Sequence, residues 1–360
     1  MSLPNHDLSH DLQAQVANAY AHSTPLCIEG GNSKRWYAGL PLGEPLAVGG
    51  HRGITSYEPT ELVITARAGT HLQEIEQVLA TEGQMLAFEP PHWGATATLG
   101  GTIACNLSGP ARPYAGSARD FVLGCKIING KGEILSFGGQ VMKNVAGYDV
   151  SRLMAGALGT LGVLLEISVR VLPRPEQQLT LVQALDPAAA LQHFNACARQ
   201  PLPINAACLH TGQRYLRLAG SHGAVKQAAN QLPGDELPNG EHFWHKLREQ
   251  QLPFFQSAAS LWRVSVPADT PVLDLPGECL YDWGGAQRWL ATPAEATQVR
   301  RVAEAAGGHA TVLRTPDEGL RASGQVFHPL QLGILRYHRQ LKQAFDPKGI
   351  FNPNRLYHGL

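Results

Sequence analysis

Charge is the first thing in short supply: Asp, Glu, Lys and Arg together make up 16% of the 360 residues, against about 25% in an average soluble domain. The 29 basic and 29 acidic residues cancel, so the chain lacks the positive footprint that nucleic-acid binding requires. Its first residues mix Asp7, Asp11 and three histidines with short apolar stretches, which is not the pattern of a secretory signal. The longest uncharged apolar run, residues 153–165, holds three glycines and is far shorter than the ~20 residues a bilayer demands. Six scattered cysteines form no CxxC pair, which argues against an iron–sulfur cluster or a structural zinc. Such thiols read as reduced and mostly buried, in a cytoplasmic protein. Nucleotide motifs are missing as well. There is no GxxxxGK[ST], and Gly156-Ala157-Leu158-Gly159 has the wrong spacing for a dinucleotide fingerprint.

What is there is a folding composition: 44% hydrophobic, with 38 Gly and 25 Pro, too apolar for disorder. The length predicts two domains, one larger than the other. A low charged fraction also fits a surface partly covered by partner chains, although Gly- and Ala-richness dilutes charge too.

The first half alternates strand and helix. Leu8, Leu12, Val16 and Ala19 fall at helical spacing, and the apolar run 25–28 follows. Residues 62–68 form a strand, after which Thr70 and Gln73 frame a capping box for a helix ended by Gly83. Residues 121–128 and 134–137 flank Asn129-Gly130-Lys131-Gly132 as a hairpin. A strand over 161–172 stops at Pro173-Arg174-Pro175, the first boundary. Beyond it the pattern predicts strands at 179–184, 205–210, 214–219, 261–266, 278–283, 287–291 and 309–314. Helices are predicted at 187–199, 224–231 and 293–306, with a final helix over 329–345. The stretch 232–251 reads as a surface excursion.

Glycine pairs concentrate before residue 163: Gly30-Gly31, Gly49-Gly50, Gly100-Gly101 and Gly138-Gly139. Paired glycines let successive N–H groups point at one anion, and Gly30-Gly31-Asn32-Ser33 directly follows a predicted strand. Each pair alone is an ordinary tight turn; together they indicate a large anionic cofactor. With both nucleotide motifs missing, FAD is the leading candidate.

Four segments then carry a resemblance. Glu29-Gly30-Gly31-Asn32-Ser33 resembles the pyrophosphate loop of the PCMH-type (vanillyl-alcohol oxidase) FAD-binding superfamily. Residues 98–109, Thr-Leu-Gly-Gly-Thr-Ile-Ala-Cys-Asn-Leu-Ser-Gly, resemble its second flavin segment. Gly159-Thr160-Leu161-Gly162-Val163 resembles its third, and Asp346-Pro347-Lys348-Gly349 through Asn354-Arg355 the tail of its 2-hydroxy-acid oxidases. Within that superfamily the chain is most similar to the FAD-binding E subunits of bacterial glycolate oxidase, through residues 141–149 and 282–289. The resemblance implies an α+β fold: a PCMH-type FAD-binding domain over 1–173, a smaller α+β cap over 174–320, and a helix and tail over 321–360 returning to the first domain. It implies cofactor contacts at Gly30, Gly31, Asn32, Ser33, Lys34, Pro90, Thr98, Leu99, Gly100, Gly101, Ile103, Ala104, Asn106, Gly109, Gly159, Gly162, Val163, Asn354 and Arg355. It further implies a larger flavoprotein D-type subunit and an iron–sulfur F-type subunit as partners, with glycolate oxidised to glyoxylate by a complex at the inner membrane.

Two departures qualify the picture. Members with covalent flavin carry His after the double glycine, whereas Asn32 stands here, so the FAD is expected to be dissociable. The His-rich GDGN motif of the D-type subunits is lacking, Gly307-Gly308-His309 being its nearest counterpart. Oxidation of a 2-hydroxy acid needs a cation for the carboxylate and a base for the hydroxyl. Arg288 and Arg314, beside Arg263 on predicted strands, and His309 are the candidates, against the plain alternative of strand arginines packing on Trp262 and Trp289. His242 and His245 read as a solvated helix face rather than a metal pair. Lys143-Asn144 could reach flavin or a partner. The rival readings are a self-sufficient 2-hydroxy-acid dehydrogenase and a non-catalytic electron-relay or assembly subunit. A likeness to the enolpyruvyl reductase of cell-wall synthesis is more distant, since no nicotinamide site is legible.

Overall fold

The computed structural model describes residues 5–139, 149–257 and 259–360; residues 141–148, with Lys143 and Asn144, lie outside them. The chain divides into two compact units. One holds the residues up to Leu107, Ser117–Pro173 and Gly319–Leu360, and the other Ser108–Gly116 and Arg174–Glu318.

The first unit is built on a five-stranded antiparallel sheet in the order Ile54–Glu58, Val63–Arg67, Val163–Arg170, Val122–Ile128, Ile134–Gly138. Val63, Ile64, Ile127, Ile128, Leu165 and Ile167 are all buried, as β-branched runs in central strands should be. The Leu72–Thr81 helix buries Leu72, Ile75 and Leu79. The expected capping box does not form there: the Thr70 hydroxyl is engaged by Gly53, accepting from its N–H at 2.9 Å and donating to its carbonyl at 3.2 Å, and His71 occupies the cap without a side-chain bond. A separate parallel pair joins Leu26–Glu29 to Glu44–Ala47, and the Leu99–Cys105 helix follows Thr98. Glycines at its first turn mask that helix in the sequence, because glycine is a poor helix former.

Residues 319–360 return to the same unit. Phe351 bridges to Leu26 in parallel, and the Leu26 N–H donates to the Ile350 carbonyl at 2.7 Å. An ion pair fixes the tail: Lys342, the buried residue of the Leu332–Phe345 helix, donates to Asp346 Oδ2 (2.8 Å) and to the carbonyls of Thr160 (2.8 Å) and Phe351 (2.7 Å). Asp346 in turn accepts from the N–H groups of Ile350 (3.0 Å) and Phe351 (2.7 Å). Each charge is thus paired and its remaining hydrogen bonds are filled, the condition under which burial is tolerated. Burial holds the Lys342 ammonium below its usual pKa, with Asp346 pulling the other way.

The second unit carries an eight-stranded antiparallel sheet in the order Asp235–Glu236, Gln177–Ala184, Gln213–Gly220, Ile204–His210, Glu278–Asp282, Gln287–Thr292, Ser260–Ser265, His309–Arg314. The helices Pro187–Ala198 and His222–Gln231 pack Leu191, Phe194 and Val225 against Leu181, Leu216 and Leu218. Residues 232–251 are not the surface excursion their charge predicts. They contain the Gly240–Arg248 helix, whose Trp244 is buried and donates Nε1–H to Thr180 Oγ1 at 2.9 Å, while Phe243 stacks on Tyr215 at 3.8 Å. A narrow stripe of Trp244 and Leu247 among charges is enough to seat a short helix.

Candidate functional site

The strand Leu26–Glu29 ends in the loop Gly30–Ser33, and that loop forms one wall of a groove in the first unit. Its polar part lies between the loop, Thr98, Gly101, Cys105, Asn352 and Arg355. An adjoining apolar part is lined by Val48, Ala68, Met154, Ala157 and Leu164, with Gly159 and Gly162. Ile28, Gly30, Thr98, Gly101, Ala104, Leu158 and Asn352 face both parts, so the groove is continuous, polar at one end and apolar at the other.

The loop cannot be built with ordinary side chains. A Cβ on Gly31 would fall on the Thr96 carbonyl oxygen, and one on Gly100 would lie 2.7 Å from Ala68 Cβ and 2.9 Å from its carbonyl oxygen. Asn32 takes the left-handed conformation (φ 57°), which bends the chain so that neighbouring N–H groups converge. Among the described residues, no backbone or side-chain acceptor engages the N–H groups of Gly30, Gly31, Asn32 or Ser33. Four consecutive donors without partners beside a cavity are what a diphosphate requires. By contrast, the N–H groups of Leu99, Gly100 and Gly101 are used internally, by the carbonyls of Thr70 (2.9 Å) and Ala68 (2.8 Å) and by Thr98 Oγ1 (3.2 Å). That segment contributes surface to the groove rather than free amides.

Cations stand around the polar end. Lys34 is buried, donating Nζ to the His92 carbonyl at 3.1 Å, and lies 5.8 Å from the Trp93 ring centroid. Arg35 pairs with Glu29, whose other oxygen accepts from Asn32 Nδ2 at 3.3 Å. Arg355 donates to the carbonyls of Gly39 and Arg35, and burial lowers its pKa. Burial likewise raises that of the Cys105 thiol, so this thiol is held in its neutral form.

Among the residues the sequence singles out, Gly30, Gly31, Asn32, Ser33, Lys34, Thr98, Gly100, Gly101, Ala104, Gly159, Gly162 and Arg355 line the groove. Leu99, Ile103 and Val163 are buried behind it and Pro90 is buried elsewhere in the unit. Asn106 caps the Leu99–Cys105 helix and accepts from the Arg119 N–H at 3.0 Å. Gly109 belongs to the second unit, where its carbonyl accepts from Trp283 Nε1 at 3.1 Å. Asn354 accepts from the Gly359 N–H at 2.8 Å. Asn352, two positions earlier, is the asparagine that matters: Oδ1 accepts from the Ile28 N–H at 2.8 Å and Nδ2 donates to the Leu158 carbonyl at 2.7 Å. In the sequence Asn-Pro-Asn offers no way to choose between them.

The second unit does not gather His309, Arg288 and Arg314. Ser265 pairs with His309 and Val264 with Arg288, so the two point to opposite faces of the sheet. Arg314 pairs with Leu261, four positions and ~13 Å along the strand. Arg288 is fully buried and donates to the carbonyls of Gly285 (3.3 Å) and Thr270 (2.6 Å). Arg314 donates to Gln250 Oε1 (3.0 Å) and the Phe255 carbonyl (3.2 Å). His309 is exposed at a strand start. His242 and His245 are exposed on one helix, and no group of three potential metal ligands exists among the described residues.

A groove with a free-amide loop at its polar end and an apolar continuation fits a dinucleotide flavin, and the comparisons agree. The FAD binding domain family matches residues 9–138. An alkyldihydroxyacetonephosphate synthase structure superposes over 97% of this chain and 75% of its own, with a TM-score of 0.64 at 14% identity, which establishes the PCMH-type α+β fold. This is an FAD-binding flavoprotein. The glycolate oxidase subunit GlcE of Escherichia coli (strain K12) is 52% identical over 98% of both chains. Glycolate oxidase subunit GlcD of Bacillus subtilis is 35% identical over 40% of this chain and 30% of its own length, and D-lactate dehydrogenase of Archaeoglobus fulgidus 30% over 48% and 39%. The chain belongs to the GlcE family of glycolate oxidase subunits.

Proposed function

We propose that the chain holds FAD non-covalently in this groove and serves as the FAD-binding subunit of a complex that oxidises glycolate, and related 2-hydroxy acids, to glyoxylate. The observation that carries this reading is the 52% identity to a glycolate oxidase subunit across 98% of both chains, a likeness that includes the second unit and the tail. Its partners are a larger D-type flavoprotein subunit and an iron–sulfur F-type subunit, which takes the electrons onward. The chain joins the inner membrane through those partners; no helix among the described residues is long and apolar enough to cross one.

Bound FAD supplies the two-electron acceptor that oxidation of an alcohol needs. The chain's own part is to bind and orient it. The amides of Gly30–Ser33, with Lys34, Arg35 and Arg355 nearby, receive the diphosphate, and the apolar wall of Val48, Ala68, Met154, Ala157 and Leu164 excludes water from the rest. Asn32 has no nucleophilic nitrogen with which to attach the flavin, so acid precipitation should release all of it. Arg288 and Arg314 act as framework residues, and substrate deprotonation falls to the D-type subunit.

The test is the anaerobic visible spectrum of the FAD-loaded chain before and after glycolate. The expected result is an unchanged spectrum for the chain alone and loss of the flavin band once both partners are added. Bleaching by glycolate in the isolated chain would instead establish a self-sufficient dehydrogenase. Failure to take up FAD at all would leave an assembly role.

A further inference from the structure

Asn352 belongs to the returning tail, and its backbone is held in place from both sides. Its N–H donates to the Leu26 carbonyl at 2.9 Å, and its own carbonyl accepts from the Arg355 N–H at 3.1 Å. Its φ of 41° lies in the left-handed region, which asparagine enters more readily than most residues with a side chain. The side chain then ties together two segments that border the groove. Oδ1 accepts from Ile28, on the strand that runs into Gly30–Ser33, and Nδ2 donates to Leu158, next to Gly159.

Those two bonds leave the amide half used. A primary amide carries two N–H donors and an oxygen with two lone pairs, and among the described residues nothing takes the second N–H or the second lone pair. The residue is only 7% exposed, so water has little room to satisfy them, and unmet polar groups are costly to bury. The groove is where they can be met. Asn352 borders both its polar and its apolar part. A Cβ on Gly159, which also lines the apolar part, would come within 2.7 Å of Nδ2, so the glycine keeps the space beside the amide open.

Whatever fills that space must suit a donor and an acceptor together, at the step from polar to apolar lining. A phosphate oxygen only accepts, whereas a hydroxyl both donates and accepts. The rings of FAD carry such pairs too, but a sugar separates each ring from the diphosphate, and Asn352 stands at the diphosphate end. We propose that Asn352 is a direct ligand of FAD, pairing with a sugar hydroxyl next to the diphosphate, on either the ribose or the ribityl chain. The assignment rests on the FAD reading above. One side chain thus fixes the strand ahead of the diphosphate loop and holds the cofactor.

The experiment compares dissociation constants, read from flavin fluorescence on the full chain, for FAD and for FAD analogues that each lack one hydroxyl of the ribose or of the ribityl chain. The wild type should bind FAD about fivefold more tightly than the analogue missing the paired hydroxyl, and the identity of that analogue tells ribose from ribityl. Asn352→Gly keeps the left-handed backbone without strain and removes the amide. It should weaken FAD at least tenfold and bind FAD and that analogue equally. A purely structural role would weaken both ligands alike and leave the wild-type ratio intact, which overturns the assignment. Should Asn352→Gly take up no flavin, Asn352→Ser, with a shorter reach, replaces it and should cut the preference below twofold; an unchanged preference again overturns the assignment. A wild type that binds every analogue as tightly as FAD overturns it without any variant. A wild type that binds no FAD overturns the FAD reading, and this ligand with it.

Discussion

The two units bury charge in different ways, and the contrast separates a binding framework from a structural one. In the first, Lys342 and Asp346 form a closed pair whose spare donors and acceptors reach Thr160, Ile350 and Phe351, holding together segments that edge the groove. In the second, Arg214 and Arg288 are fully buried with no carboxylate partner among the described residues. Arg214 donates to His193 Nδ1 (3.0 Å) and to the Pro233 carbonyl, and Arg288 to two carbonyls while one of its nitrogens stays unpartnered. Arginine suits that role because its guanidinium is weakly hydrated and stays charged. Its forked donors tie loops to strands across the sheet, a job that looks like substrate binding in the sequence.

The contrast is broken most sharply at the loop. Gly31→Val places a side chain on the Thr96 carbonyl and should abolish FAD retention through gel filtration, with the flavin-to-protein absorbance ratio as the readout. Lys342→Ala comes next: it leaves Asp346 buried and unpaired, at a cost of about 3–5 kcal/mol in urea unfolding. Arg288→Met strands two carbonyl acceptors but no charge, and should cost only about 1–3 kcal/mol while FAD binding is unaffected. If it removed glycolate oxidation by the assembled complex without loss of stability, Arg288 would be a substrate ligand after all.

A pH-dependent effect follows from His51, which is buried and accepts the Leu8 N–H at Nδ1, 3.0 Å away. Burial depresses its pKa below 6.5, opposed by Asp7 and reinforced by Arg67. The unfolded chain therefore takes up the proton first, so stability is complete above about pH 6.5 and declines as the pH falls below it. The melting temperature of His51→Gln should change less between pH 7 and 5 than that of the wild type. The smallest change is expected at Asp7, whose carboxylate is held below its usual pKa chiefly by hydrogen bonds from Ser9, with Arg67 at 3.0 Å. The group is largely exposed, so Asp7→Asn should alter stability by under about 1 kcal/mol, and only at pH values above the carboxylate range.

Much of this architecture is legible in the sequence, and the lapses have physical causes. Strands such as Val63–Arg67 and helices such as Pro187–Ala198 announce themselves because their apolar period is uninterrupted. Gly30–Ser33 can be read as a cofactor loop because it directly follows a strand and several glycine pairs gather in the same domain; one pair alone reads as a tight turn. The Leu99–Cys105 helix cannot, because Gly100, demanded by contact with Ala68, and Gly101 beside it erase its helical signature. Asn352 was hidden by its twin Asn354, since a local sequence does not say which amide meets a strand more than three hundred residues away. Strand membership was right for Arg288, His309 and Arg314, but the face each presents depends on pairing register, which a single strand does not encode.

That long reach has a consequence for how the protein comes into being. The groove's first strand, Leu26–Glu29, is among the earliest segments synthesised, yet its N–H groups at Leu26 and Ile28 are met by Ile350 and Asn352. During translation the strand emerges without those acceptors, and the nascent chain has no finished pocket to offer. Loading of FAD is in this sense a step after synthesis, and a message cut short near its end would yield protein that folds much of its sheets but carries no colour.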